Sequence, residues 1–346
     1  MKTMALTGIG SIEPMDVPPP CMERDTDVLL AVNAIGVCGS DVHYYATGRI
    51  GSQVVQYPFR VGHECSATVL QTGTRVTRVR PGDRVAVEPA MSCGQCDQCR
   101  ANRRHTCRTL RFLGCPGQAE GCLCERIVMP EDCCYPVGAT LSQEDAALIE
   151  PLAIGVYAVR QSVPMRGARI AILGSGPIGM SVLFAARAAG AERIYVTDRI
   201  APRLACAARA GADWTGNPDT EDIVAAVRER EPLLLDAAFE CCGQQAALDQ
   251  AVELLKPGGK LMLVGIPTEF RVSFEIDSLR RKEICIQNVR RQNECVTAAI
   301  DLLAGGKVKT DLMITHRFSF DQTSAAMALV AGYRDGVMKA MIHVNS

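Results

Sequence analysis

The sequence predicts an α/β protein, with an irregular β-rich first half followed by a parallel sheet wound with helices. Three observations carry this. From residue 169 onward, strand-type apolar runs alternate with helical runs, the sequence sign of a parallel sheet. Residues 1–155 are instead dense in Gly, Pro and Cys, with short apolar runs set between turn signals. Where the pattern changes, Gly174-Ser175-Gly176-Pro177-Ile178-Gly179 joins a strand-type run to a helical one.

The elements follow in order. In the first part, residues 28–34, 67–70 and 84–87 read as short strands, the last two separated by Pro81-Gly82-Asp83. In the second part, 169–173 is a buried-type strand and 177–189 a helix. A strand at 193–197, a helix at 203–210, a strand at 234–240 and a helix at 245–255 follow. Lys256-Pro257-Gly258-Gly259 is expected to turn into a strand at 261–264. The tail from Cys295 offers one or two helices and a closing apolar run, 338–344. No repeat, low-complexity segment or long linker is visible.

Composition narrows the function classes. A chain of 346 residues corresponds to about two domains at roughly 150 residues each. Hydrophobic residues make up 48%, enough for a sizeable core. The 37 basic and 38 acidic side chains leave a net charge of −1. That balance argues against a nucleic-acid coat, a polybasic membrane binder or a disordered chain. No apolar run reaches the ~18 residues needed to span a bilayer. Residues 1–20 lack the basic start and apolar stretch of a signal peptide. A soluble, cytoplasmic protein is expected. The odd count of 17 cysteines in such a chain points to reduced thiols, some of them metal ligands. Scattered cysteines such as Cys21, Cys206, Cys285 and Cys295 read as packing residues.

Gly174, Gly176 and Gly179 form G-x-G-x-x-G. The first glycine permits the tight turn, the second lets backbone approach a pyrophosphate, and the third lets helix pack on strand. Pro177 and Ile178 open the helix, whose N-terminus offers free N–H groups to phosphates. Asp198 ends the next strand, 19 residues past the last glycine. A carboxylate there accepts bonds from a ribose 2′-hydroxyl and repels a 2′-phosphate, which favours NAD over NADP. Arg199 adjoins it.

Cys93, Cys96, Cys99 and Cys107 place four thiols within fifteen residues. This spacing suits a closed tetrahedral zinc site bracing a loop without a core. A ferredoxin-type iron–sulfur run matches the first three cysteines, but the fourth follows after seven residues and precedes Arg108, not Pro. Cys38, the Gly62-His63-Glu64 segment and Glu150 are more scattered, and spacing alone does not join them.

Taken together, the pieces resemble the zinc-dependent medium-chain dehydrogenases, and within them the sorbitol (polyol) dehydrogenases. The resemblance runs nearly end to end. It rests on Gly36-Val37-Cys38-Gly39-Ser40-Asp41-Val42-His43-Tyr44, Gly48-Arg49-Ile50-Gly51, Gly62-His63-Glu64, Pro81-Gly82-Asp83-Arg84-Val85, Ile149-Glu150-Pro151-Leu152, the glycine motif and Thr315-His316-Arg317-Phe318. It implies a GroES-like catalytic domain at 1–155, with a structural zinc lobe at about 90–110. A Rossmann NAD-binding domain at 156–292 and a return to the catalytic domain at 293–346 complete the chain.

By the same resemblance two zinc ions bind per chain, one structural on the four clustered cysteines and one catalytic on Cys38, His63 and Glu64. Glu150 is implied beside the catalytic zinc, as a partner of its open position or an exchanging ligand. Both carboxylates plus a thiolate would over-neutralise a divalent cation, so one of the two is expected further out. Asp41 matches the carboxylate that orients the zinc histidine. Ser40 and His43 match a proton relay, and Tyr44, Glu150, Arg291 and Gln292 the substrate contacts. Ile178, Asp198, Arg199, Arg203, Val264, Gly265, Ile266, Val289, Arg290 and Arg291 are implied to line the cofactor. Ala67 stands where the family has a glycine, and Gln292 where it has a tyrosine.

The function implied is oxidation of a secondary alcohol of a polyol (sorbitol, xylitol or galactitol type) to a ketose, with hydride transfer to NAD. An L-threonine 3-dehydrogenase or a vicinal-diol dehydrogenase would keep nearly every motif. A non-enzymatic zinc- and nucleotide-binding redox sensor is the alternative of another class. A homotetramer is implied, with a homodimer next, acting on a small molecule without nucleic-acid or membrane partners.

Overall fold

The computed structural model describes residues 1–267 and 269–344. The chain divides into two units: Met1–Glu150 with Val296–Gly305 and Ile314–Ser346, and Pro151–Cys295 with Gly306–Met313. The first junction falls inside the helix Gln143–Gln161, at Pro151, which lacks a helical N–H donor. The excursion Gly306–Met313 was not foreseen in the sequence. It is tied to the second unit by Lys309 Nζ, which donates to the Arg209 carbonyl at 3.1 Å, and by an Arg209–Asp311 pair at 3.6 Å.

In the first unit the longest strand is Asp27–Gly36, whose Val28, Leu30 and Val32 are fully buried. It is the hub of a seven-stranded sheet. Glu64–Thr72 pairs with one edge and Lys339–His343 with the other, both antiparallel. Arg84–Val87 and Cys134–Pro136 extend the first side, Ile314–Ser319 the second, and Arg126–Pro130 also pairs with the hub. Ala67 lies mid-strand between Val32 and Val85, fully buried, so no turn depends on a glycine there. The register sets Gly36 opposite both Glu64 and Met341. One end of the three central strands therefore collects residues from both ends of the chain. The Val37 N–H donates to the Ala340 carbonyl at 3.0 Å and carries the chain from this corner into Cys38.

The second unit is a six-stranded parallel sheet. Its order is Trp214–Gly216, Arg193–Thr197, Arg169–Leu173, Leu235–Glu240, Leu255–Leu263, Cys285–Asn288. Counted along this unit the order is 3-2-1-4-5-6, the doubly wound Rossmann arrangement with its switch point beside the first strand. The helices Pro177–Ala188, Ala201–Ala210, Ile223–Arg230 and Gln245–Leu254 connect the strands. The turn expected at Lys256-Pro257-Gly258-Gly259 is instead an irregularity within the strand Leu255–Leu263. Its pairing jumps from Leu235–Leu255 to Ala237–Lys260, and Gly258 takes φ +75°. Lys256 bonds Asp236 on the neighbouring strand, which keeps the segment in the sheet.

Gly179 is dictated by packing. A Cβ there would lie 1.9 Å from the Gly174 carbonyl oxygen, a backbone atom that cannot move aside. Gly179→Ala should therefore strain the turn by about 1–3 kcal/mol. Thermal denaturation should show a midpoint lowered by roughly 3–10 °C; an unchanged midpoint would mean that helix and strand do not meet this closely.

Candidate functional site

The four clustered cysteines of the first unit converge. Cys93, Cys96, Cys99 and Cys107 place their sulfurs within 4.8 Å of one another. Cys96 lies 3.6 Å from Cys99 and 3.9 Å from Cys107, and Cys93 lies 4.0 Å from Cys99. Sulfurs on a tetrahedron with metal–sulfur bonds of ~2.3 Å stand about 3.8 Å apart, so the set fits one zinc ion. N–H groups of Gln95 and Cys96 hold the Cys93 thiol down to about 6, toward the thiolate a metal requires. The surrounding frame is slight: a two-residue ladder, Ala90–Met91 against Arg111–Phe112, and an exposed Arg108 fork on Asp97 at 2.8 and 2.9 Å.

The scattered residues also meet. Cys38, His63 and Glu64 bring their donor atoms within 4.8 Å of one another. Cys38 caps the helix Gly39–Thr47, Glu64 begins the strand Glu64–Thr72 at the corner described above, and His63 immediately precedes it. Asp41 fixes the histidine. Its Oδ1 lies 3.3 Å from His63 Nδ1 and accepts the Gly62 N–H at 3.0 Å, while its Oδ2 accepts the Cys38 N–H at 3.2 Å. With Nδ1 engaged, Nε2 is the nitrogen left to bind a metal. Burial opposes a proton on His63, yet Asp41 and Cys38 outweigh it and raise its pKa well above the ordinary value. The hollow thus favours positive charge.

One participant was missed in the sequence. Lys339 is fully buried; its Nζ donates to Glu64 Oε2 at 2.5 Å and to the Val37 carbonyl at 3.1 Å. The only sequence signal was a lysine inside the apolar run 338–344. Gly36 makes the room: a Cβ there would fall 2.3 Å from Glu64 Oε2 and 3.3 Å from the Lys339 side chain. Glu150 lies outside the set of three donors. Burial pushes its carboxyl up to about 8; Glu64 and Glu88 add to this, and His63 and Lys339 oppose it. Consider the three donors and the two side chains bonded to them, Asp41 and Lys339. With His63 neutral and Cys38 a thiolate, they carry two net negative charges, the amount one divalent cation cancels.

Other implied residues follow on the helix Gly39–Thr47. The Ser40 hydroxyl donates to the Cys38 sulfur at 3.3 Å. His43, half-buried on the same helix, has its pKa lowered by burial and is neutral at pH 7. Tyr44 is buried; its hydroxyl donates to Gln53 Oε1 at 3.2 Å and lies 3.8 Å from Cys115 Sγ. Gln53 Nε2 donates to the same sulfur at 2.8 Å, and neither Gln53 nor Cys115 had been assigned a role from sequence.

In the second unit the glycine turn leaves the first strand at the switch point. Gly174 takes φ +99°, and a Cβ there would meet Cys242 Cβ at 2.9 Å. Asp198 accepts the Ser175 N–H at 2.7 Å and the Ile200 N–H at 2.9 Å, which holds its carboxylate at the mouth of the turn. Arg203 is buried, and its guanidinium lies 3.4 Å from a Cβ built on Gly176. Gly265 closes on Gly243 and Glu240, Ile266 is exposed beyond it, and the Val289 N–H donates to the Leu263 carbonyl at 2.9 Å. Arg290 is exposed, and Arg291 takes left-handed backbone at φ +55°. Gln292 is buried, its Oε1 accepting the Cys295 N–H at 2.8 Å just ahead of the helix Val296–Ala304.

Removing the lysine should expose the cost of the buried pair. Lys339→Met leaves Glu64 without its counter-charge, and urea unfolding should report a loss of about 3–5 kcal/mol. A loss below ~1 kcal/mol, the range of an exposed pair, would mean that Glu64 is balanced by another group.

Comparison with known proteins agrees with this architecture. Residues 24–139 match the Alcohol dehydrogenase GroES-like domain and residues 177–305 the Zinc-binding dehydrogenase domain. The chain is 35% identical over 346 residues to sorbitol dehydrogenase of Bacillus subtilis, covering 100% of this chain and 98% of that protein. It is 33% identical over 324 residues to L-idonate 5-dehydrogenase of Vitis vinifera, covering 92% and 88%. A Sinorhizobium meliloti structure bound to NADP superposes with a TM-score of 0.90 at 30% identity, over 99% of both chains. The donor set, the Rossmann order and these likenesses place the chain in the zinc-dependent medium-chain dehydrogenase family, among its sorbitol dehydrogenase-like oxidoreductases.

Proposed function

We propose that the protein oxidises a secondary alcohol of a polyol to a ketose, reversibly, with NAD as hydride acceptor. The observation that carries this is the Cys38–His63–Glu64 donor set, its histidine and glutamate buried, with Asp41 behind the histidine and Lys339 behind the glutamate. Bound there, zinc would act as a Lewis acid toward the reacting hydroxyl; a second zinc on Cys93, Cys96, Cys99 and Cys107 would brace the lobe.

The chain's own groups do the rest. Asp41 holds His63 in one tautomer and orientation. Lys339 donates to the Glu64 carboxylate from a fully buried position and holds it in place. Ser40, beside the Cys38 sulfur, and neutral His43 on the same helix can carry the alcohol proton outward. Glu150, with its carboxyl at about 8, can exchange a proton near neutral pH and bond a substrate hydroxyl. Tyr44, held by Gln53 and close to Cys115, would offer polar contacts to a polyhydroxylated substrate, since unpaired polar groups reject analogues lacking hydroxyls. In the second unit, the glycine turn and helix N-terminus suit a pyrophosphate, and Asp198 suits a free ribose 2′-hydroxyl. The alcohol loses a hydride to NAD and a proton to solvent, giving ketone, NADH and one proton. Among the described residues no helix is long and apolar enough to cross a membrane.

The test is NAD reduction with sorbitol, xylitol, galactitol, arabinitol, threonine and butanediol, alongside a zinc count. Turnover with a polyol and about two zinc per chain is expected. Preference for threonine or butanediol would move the chain to a neighbouring substrate class, and absence of NADH formation with every alcohol would favour the sensor reading. Cys38→Ser and His63→Ala should abolish turnover while NADH still binds, as fluorescence titration would record. Cys96→Ser should instead remove about one zinc and lower the melting point; full zinc content in that variant would refute the structural site.

A further inference from the structure

Arg199 follows Asp198 directly, at the end of the strand Arg193–Thr197, and its side chain is 75% exposed. An arginine in this place is the group that accommodates a 2′-phosphate, because its fork matches phosphate oxygens. Here the side chain is engaged through its Nε. Arg199 Nε donates to Asp219 Oδ1 at 2.9 Å and Oδ2 at 2.8 Å. Asp219 is itself set by its loop: its N–H donates to Asn217 Oδ1 at 2.9 Å, and the Asn217 N–H donates to Glu221 Oε1 at 3.0 Å. Asn217 Nδ2 returns to the Arg199 carbonyl at 3.2 Å, so the loop grips both backbone and side chain of the arginine. The loop follows the edge strand Trp214–Gly216, on the flank of Arg193–Thr197 opposite the strand that carries the glycine turn. The pair therefore draws the guanidinium toward the sheet edge. Glu221 and Asp222 add two more carboxylates to the same loop.

We propose that Asp219 is a positioning residue for cofactor choice: it sequesters Arg199 from a 2′-phosphate, and so adds a second barrier to NADP beside the Asp198 carboxylate. This rests on the reading of the second unit as an NAD site. A related fold does hold NADP, so the scaffold does not decide the matter and local charges must.

The experiment compares wild type, Asp219→Asn, Asp219→Glu and the double variant Asp219→Asn/Arg199→Ala. Dissociation constants for NADPH and NADH come from fluorescence titration, and kcat and KM for NADP and NAD from steady-state rates. An exposed pair of this kind is weak, so Asp219→Asn should tighten NADPH binding by about two- to fivefold. The gain should fall in KM for NADP and not in kcat, revert in Asp219→Glu, and vanish in the double variant. Unchanged NADPH affinity in Asp219→Asn would overturn the proposal. So would a gain that survives loss of Arg199, since relief of negative charge would then explain it. A wild type that binds NADPH more tightly than NADH would overturn the NAD reading itself, a result separate from either of these.

Discussion

Lys339 and Glu64 meet at about 1% exposure each, on the two strands that flank the hub strand. Removing two charges from water costs several kcal/mol apiece, recovered only by close pairing and by bonds to the remaining donors and acceptors. The rest of the first unit follows from that requirement. The register that sets Gly36 opposite Glu64 and Met341 brings the two charges into reach, and the Val37 carbonyl takes a further proton of the ammonium. Asp41 satisfies His63 in the same way, with two backbone N–H groups holding the carboxylate. What remains is an excess of negative charge facing one hollow, of the amount that one divalent cation would cancel.

The second unit handles charge differently. Its first strand is buried from Ile170 to Leu173, and the polar work is done by backbone where that strand ends. The glycine turn lets main chain approach closely, the helix N-terminus directs N–H groups outward, and Asp198 tethers turn and neighbouring strand together. Cations enter only at the margins, as Arg203 beside Gly176 and Arg199 on its acidic loop. The two units thus meet opposite demands: one assembles side-chain charges in a dry corner, the other presents neutral backbone to a charged ligand.

Much of this was legible in the residues. The glycine motif and the four-cysteine cluster are local patterns, because the turn and the lobe they build are local structures. The alternation of strands and helices after residue 169 was readable because each parallel strand is a short apolar run. Lys339 was not legible, since its partner lies 275 positions away and no spacing rule joins them. The same holds for Gln53 and Cys115, 62 positions apart, and for the Asp219 grip on Arg199. Lys256-Pro257-Gly258-Gly259 misled for the converse reason: its composition is that of a turn, but pairing with the neighbouring strand keeps it within the sheet. Cys38, His63 and Glu64 fall between these cases, brought together by likeness to a family and not by any pattern of their own.

Gly36 carries a consequence for descent. The missing side chain at this position is the space that the Glu64 carboxylate and the Lys339 stem occupy. Positions 36, 64 and 339 therefore constrain one another, though they lie in three separate stretches of the sequence. A lineage that acquires a side chain at 36 must first surrender the carboxylate or shift the strand. Each order of single steps passes through a buried charge with no partner or two groups in one volume. The three positions therefore tolerate replacement together more readily than one at a time.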